Sequence, residues 1–221
     1  VPNFWLSEGH SFGVTAAGGA GWQLAEWIVE GEPTIDMLGV DPRRYGSYAT
    51  ESYLKVKNEE AYENVFVIHY PDEERGAARP LRTAPCYDRL KDLGAVFGQK
   101  FGWERANWFA KDGDDTSEAA TETWNREGPW TARIKDEVEA ATNEVGVLDM
   151  PGFSRYTLSG VGAAEWLRGQ IAGALPKAGR MNLGYFADSR GRIVTEVTII
   201  RWGEDDFWLM TAAVAQGHDF E

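Results

Sequence analysis

The chain has 221 residues, enough for one large domain or two small ones, each with its own apolar core. Its composition is that of a water-soluble globular protein, 43% hydrophobic and 26% charged, with no run long enough to span a bilayer as a helix. A net charge of −13 argues against nucleic acid, whose phosphates demand a cationic surface, and the single cysteine, Cys86, excludes an intrachain disulfide and any cysteine-based metal cluster.

In chain order, residues 1–40 read as a strand at 3–6, a glycine-rich loop SEGHSFGVTAAGGAG over 7–21, and a helix at 22–31. Leu24, Ala25, Ile28 and Val29 share one face of that helix, and Gly31 followed by Pro33 supplies a stop. Asp41 before Pro42 is a helix-start pair. A helix over 50–64, a strand over 65–69 and an ordered loop or edge segment over 71–85 follow, the last carrying Arg75, Arg79 and Arg82 among prolines. Residues 87–93 read as helix and 95–101 as a strand ending in GWERANWF.

Residues 111–128 are polar and poor in branched apolar side chains, which marks a linker between domains. Beyond it Trp130, Ile134, Val138, Ala141 and Val145 recur at helical spacing. Short strands at 147–150 and 153–158, a helix at 162–172, a hairpin of arms 183–187 and 193–201 joined by DSRGR, and a strand at 207–212 complete a β–α–β–β–β order. This is an α+β pattern. The chain opens on Val1 and a lone strand and stops as a helix starts near 212–220, so it reads as a piece of a longer polypeptide.

A glycine loop feeding a helix offers close backbone approach and free N–H groups for an anion or an electron-rich ring edge. The dinucleotide fingerprint fails here: Gly19-Ala20-Gly21-Trp22-Gln23-Leu24 places Leu24 where the last small residue belongs, and Asp41 lies at a new helix start. A glycine turn needed only for strand–helix packing is the plainer alternative. In the second half, alternation puts Val194, Glu196 and Thr198 on one strand face and Ile193, Thr195, Val197 and Ile199 on the other. Glu196 then either faces solvent or lines a pocket.

The run NFWLSEGHSFGVTAAGGAGWQLAEWIVEGEPTIDM resembles the last flavin-contacting loop and C-terminal helix of glycine-oxidase-type FAD domains. DPRRYGSYATESYLKVKNEEAYE and YPDEERGAARPLRTAPCYDRLKDLGAVFGQKFGWERANWFA are similar to the central region of dimethylglycine and sarcosine dehydrogenases. EVGVLDMPGFSRYTLSG and YFADSRGRIVTEVTIIRWGEDDFWLMTAA resemble the folate-binding domain of the glycine-cleavage T-protein fused to those enzymes. The resemblance implies an α+β chain in which 1–40 end a glycine-oxidase-type FAD domain, 41–110 form a mixed α/β central region, 111–128 link, and 129–221 begin a T-protein-like aminomethyltransferase domain.

It also implies FAD and tetrahydrofolate as cofactors, with His10, Ser11, Phe12, Gly13, Val14 and Thr15 against the flavin. Glu196 takes the place of the T-protein aspartate beside the folate nitrogens, one methylene longer, with Val197 and Thr198 as its pterin neighbours. Arg79 and Arg82 either clamp a carboxylate or brace an interface between domains. The implied whole enzyme demethylates dimethylglycine or sarcosine, passes electrons to a separate acceptor such as an electron-transfer flavoprotein, and hands the one-carbon unit to tetrahydrofolate. It would sit in the cytoplasm of a bacterium or the mitochondrial matrix of a eukaryote, without metal, nucleic acid or membrane span. The rivals are a non-catalytic regulatory protein of the same architecture, as in the regulatory subunit of pyruvate dehydrogenase phosphatase, and a folate-binding module alone.

Overall fold

The computed structural model describes residues 2–220 and divides into two compact units, 1–44 and 45–221. In the first, helix α1 spans Val14–Glu30 and ends on Gly31, whose left-handed backbone (φ 85°) lets its N–H close on the Trp27 carbonyl. The helix starts eight residues earlier than expected, because Ala16, Ala17 and Ala20 carry Gly18, Gly19 and Gly21 into it. The dinucleotide loop is therefore absent as well as mismatched: all three glycines are helical. Residues 3–6 form no strand, since none of the described residues pairs with them. Asp41 does start a turn, its Oδ1 accepting from the Arg43 N–H at 2.8 Å ahead of a 3-10 turn at Pro42–Arg44.

The second unit opens with α2 (Glu51–Glu63), whose N-cap Thr50 accepts from the Tyr53 N–H. The expected strand at 65–69 does not form, and Val65, Phe66, Val67 and Ile68 all remain exposed. Four apolar side chains make a strand-like string, but a strand needs a neighbour to satisfy its backbone, and none of the described residues supplies one. Helix α3 (Tyr87–Asp92) leads into the antiparallel hairpin β1 (Ala95–Lys100) and β2 (Trp103–Phe109). Its turn uses Phe101 and Gly102, both at positive φ, and turns GWERANWF from a strand's tail into a strand of its own. Residues 111–128 hold the short helix α4 (Glu118–Thr121). Helix α5 (Pro129–Asn143) has proline in its first turn, and the Gly128 N–H donates to the Thr131 hydroxyl.

Asp114 ties this polar stretch to α5. Both its oxygens accept from Arg133, at 2.7 and 2.8 Å, and one also accepts from the Lys111 N–H. The Arg133 guanidinium, with that N–H, holds the Asp114 carboxyl down to about 2. Because the folded pKa lies below the ordinary value of about 3.9, the stabilisation is complete above that value and disappears as pH falls towards 2. Asp114→Asn is expected to flatten the acid limb of stability between pH 4 and 2. Parallel acid titrations followed by circular dichroism check this, and identical limbs for both proteins would contradict it.

The rest is one five-stranded antiparallel sheet in the order β3-β7-β6-β5-β4. Its strands are β3 (Phe153–Ser159), β4 (Ile171–Ala172), β5 (Arg180–Ala187), β6 (Ile193–Arg201) and β7 (Asp206–Ala212), with α6 (Ala163–Gln170) between β3 and β4 and α7 (Gln216–Phe220) after β7. The expected strand at 147–150 is not there; residues 145–148 run exposed towards a turn at 151–152. Leu167 of α6 packs with Ile171, Val197, Ile199, Phe207 and Leu209 on one sheet face, flanked by Tyr156, Leu158 and Phe186. Gly184 sits under this core because a Cβ there would lie 2.8 Å from Ile199 Cδ1. Asp205 caps α6 through the Gly162 and Ala164 N–H groups, and those two bonds lower its pKa.

In the hairpin, the Asp188 carboxylate accepts from the Arg190 and Arg192 N–H groups, and Gly191 takes positive φ. A bulge follows, so Phe186 faces Thr195 while Ala187 faces Ile193. Val194 is the extra residue, and the strict alternation expected along 193–199 holds only from Thr195 onward.

Candidate functional site

Two places carry the residues singled out in the sequence. The first is the start of α1. Gly9 and Gly13 take positive φ, and His10–Gly13 form a turn closed by the Gly13 N–H on the His10 carbonyl. Gly13 is the N-cap, no side chain caps the helix, and its first turn has no acid. The N-terminal partial positive charge therefore keeps its full value for an outside partner. His10, Ser11, Phe12, Gly13, Val14 and Thr15 are exposed; among the described residues the only polar contact of the His10 ring is Ser7 Oγ at 3.0 Å. Ideal Cβ atoms built on Gly18, Gly19 and Gly21 meet nothing within 4 Å, so this side of the helix is bare among the described residues.

The second place is the sheet face turned away from the core. Register sets its rows. Ala172, Tyr185 and Glu196 lie side by side across β4, β5 and β6. The next row is Leu183, Thr198, Met210 and Arg155, and the one after is Met181, Ile200, Trp208 and Thr157. Met181, Leu183 and Trp208 are exposed, and Trp208 meets Trp202 edge to face at 5.2 Å. Glu196 is exposed, and among the described residues its carboxylate has no hydrogen-bond or ion-pair partner. Thr198 shares its face.

Val197 does not: its side chain is fully buried in the core on the opposite side, which leaves only its main chain to face a ligand lying over Glu196. Alternation had already put it there, and burial of a β-branched apolar side chain outweighs the analogy that made it a pterin neighbour. Tyr185, Met210 and Arg155 escaped sequence reasoning. They come from other strands, and the bulge at Val194 sets Tyr185 opposite Glu196 where an unbroken hairpin would have set it opposite Thr195.

Arg79 and Arg82 brace the fold. Arg79 grips Glu104 with Nε on Oε1 at 2.9 Å and Nη2 on Oε2 at 2.6 Å, and Nη2 also donates to the Phe97 carbonyl. Arg82 lies over the Trp103 ring at 4.2 Å and donates to the Gln216 side chain in α7; burial pulls its pKa down. No group of three or more His, Cys, Asp or Glu placed to hold a metal occurs among the described residues. Nor is any described helix long and apolar enough to cross a membrane.

Comparison with known proteins fits this layout. The family model of the FAD dependent oxidoreductase central domain matches residues 30–84, and that of the GCVT N-terminal domain matches residues 86–221. Mouse dimethylglycine dehydrogenase is 33% identical over 220 residues, 99% of this chain and 25% of its own length. Human sarcosine dehydrogenase is 29% identical, over 74% of this chain and 21% of its own length. The mouse pyruvate dehydrogenase phosphatase regulatory subunit is also 29% identical, over 72% of this chain and 18% of its own. The chain thus spans about a quarter or less of the length of these relatives. It belongs to the GCVT N-terminal domain family and carries that domain behind an FAD dependent oxidoreductase central domain.

Proposed function

We propose that this chain is part of an FAD-dependent dehydrogenase that oxidatively demethylates dimethylglycine or sarcosine and passes the one-carbon unit to tetrahydrofolate. The observation that carries the reading is the end-to-end similarity to dimethylglycine dehydrogenase, over 99% of this chain. The physics of the two places supports it. FAD held at the start of α1 would supply the acceptor for a hydride from the N-methyl carbon. The α1 start brings what a reduced flavin ring needs: uncapped backbone N–H groups, positive φ at Gly13 and no competing acid in the first turn. Three glycines in a helix cost roughly 0.5–1 kcal/mol each relative to alanine. Their empty Cβ positions suit a helix packed closely against something outside this chain. His10, Ser11, Phe12, Gly13, Val14 and Thr15 would flank the ring, mainly through their backbone.

On the sheet, Glu196 would accept from the N–H groups of the pterin, with Thr198 beside it. A bare carboxylate on an apolar face suits a flat, donor-rich ring: it orients the ring in one way and leaves the reacting nitrogen free. Holding that nitrogen near the demethylation product raises its effective concentration and keeps water from hydrolysing the one-carbon unit to formaldehyde. Electrons would leave for a separate protein such as an electron-transfer flavoprotein, and the setting would be bacterial cytoplasm or mitochondrial matrix.

Glu196→Gln in the complete protein is expected to divert at least about tenfold more of the one-carbon unit to free formaldehyde, because a hydrogen bond to a charged acceptor is worth about 1.5–3 kcal/mol. Quantifying methylenetetrahydrofolate against formaldehyde at fixed amine turnover checks this. An unchanged ratio would remove Glu196 from the folate site.

A further inference from the structure

A side-chain hydrogen bond crosses from the stretch 30–84, which carries the oxidoreductase central domain, to the sheet-bearing stretch 86–221. Arg82, near the end of the first, donates Nη2 to the side-chain oxygen of Gln216, in α7 of the second. Both ends of this bond are anchored. The Arg82 N–H donates to the Gly102 carbonyl at 3.1 Å, and its carbonyl accepts from the Glu104 N–H at 2.8 Å, which lays it alongside β2. Its guanidinium carbon stands 4.2 Å from the Trp103 ring centre and 5.5 Å from that of Tyr48. At the other end, the Gln216 main-chain carbonyl accepts from the Tyr156 hydroxyl at 2.9 Å, and Phe220 stacks on the Tyr156 ring at 6.2 Å. Tyr156 packs against the core of the sheet whose opposite face carries Glu196.

A guanidinium suits this place because it is planar: it lies on an indole face and still donates from its edge, which an ammonium group does not do in one pose. The result is a bracket that runs from the central region through Arg82, Gln216 and Tyr156 into the sheet. Resting on the demethylation reading above, we infer that Arg82 is a positioning residue for one-carbon transfer. By fixing α7 it holds the Glu196 face of the sheet in place for the flavin half of the complete protein. Arg82 touches neither substrate nor cofactor; it acts between the two half-reactions. The iminium carbon left by hydride loss has two fates. It bonds to both folate nitrogens, whose two protons pass to the departing amine, or it takes water, and the same amine departs with formaldehyde. A firm bracket favours the first by keeping the folate nitrogens near the carbon, and a slack one leaves each half-reaction intact while water gains time.

The test uses the complete protein with saturating amine and tetrahydrofolate. Three quantities are read: the ratio of formaldehyde to methylenetetrahydrofolate, the rate of flavin reduction, and the Kd of 5-formyltetrahydrofolate. Arg82→Ala is expected to raise that ratio about fivefold, while flavin reduction and the folate Kd stay those of the wild type. Gln216→Leu, which leaves Arg82 and the hairpin untouched, should raise it to the same degree, and decides the matter alone if Arg82→Ala does not fold. The double variant should add nothing further, since both changes cut one bracket. Arg82→Lys should fall between wild type and Arg82→Ala. An unchanged ratio in Gln216→Leu, or one that rises only together with a weaker folate Kd or slower flavin reduction, would overturn the inference and leave the demethylation reading standing. A wild type that yields no methylenetetrahydrofolate would overturn the folate reading and the inference with it.

Discussion

Replacing Arg79 with alanine is expected to destabilise the protein by about 3–5 kcal/mol, because it strands a buried charge. Glu104 is 3% exposed, and Arg79 supplies both of its side-chain hydrogen bonds as well as one to the Phe97 carbonyl. Removing the guanidinium leaves a carboxylate in the hairpin's interior with neither water nor a cation. Attraction to that carboxylate is also what raises the Arg79 pKa despite its burial. The double variant Arg79→Met with Glu104→Leu should recover most of the loss, since removing both partners removes the desolvation cost with the attraction. Urea unfolding of wild type, single and double variants is the measurement. A single variant within about 1 kcal/mol of wild type would mean that the pair is solvated, and the bracing role would fail.

The second large effect distinguishes the two faces of the sheet. Phe207→Ala should cost about 3–5 kcal/mol, as expected for emptying a ring-sized site in a packed core. Phe207 is fully buried, packs with Leu167, Val197, Ile199 and Leu209, and has the Arg201 guanidinium 5.3 Å from its ring centre. Met181→Ala on the open face should change stability by less than about 1 kcal/mol, since that side chain is 68% exposed. Comparable losses for the two variants would show that the open face is covered or the register wrong, and with it the placement of Glu196.

Local signals were the most legible part of the sequence. Gly31, Asp41-Pro42 and DSRGR all do what their chemistry announced, because a cap or a turn is decided within a few residues. The string at 65–69 failed for the opposite reason: strand formation depends on a partner that sequence does not display. Residues 16–21 misled because glycine lowers helix propensity without forbidding it, and three alanines among them suffice.

The candidate site was legible only along single strands. Glu196 and Thr198 share a face by alternation, and resemblance to the family marked the carboxylate. Tyr185 and Arg155 depend on how β5, β6, β7 and β3 pair, and on a one-residue bulge that moves the whole β5 register against Glu196. Val197 shows the reverse case, where the simple period-2 rule was the better guide to a side chain's direction than analogy.

The central claim is that these residues belong to a flavoprotein that oxidises an N-methylated glycine. The most direct test is the visible spectrum of the protein from its complete reading frame, recorded while dimethylglycine or sarcosine is added without an electron acceptor. Loss of the flavin band with one of the amines is the expected result and names the substrate. A bound flavin that stays oxidised with both would contradict the dehydrogenase reading and favour the regulatory one.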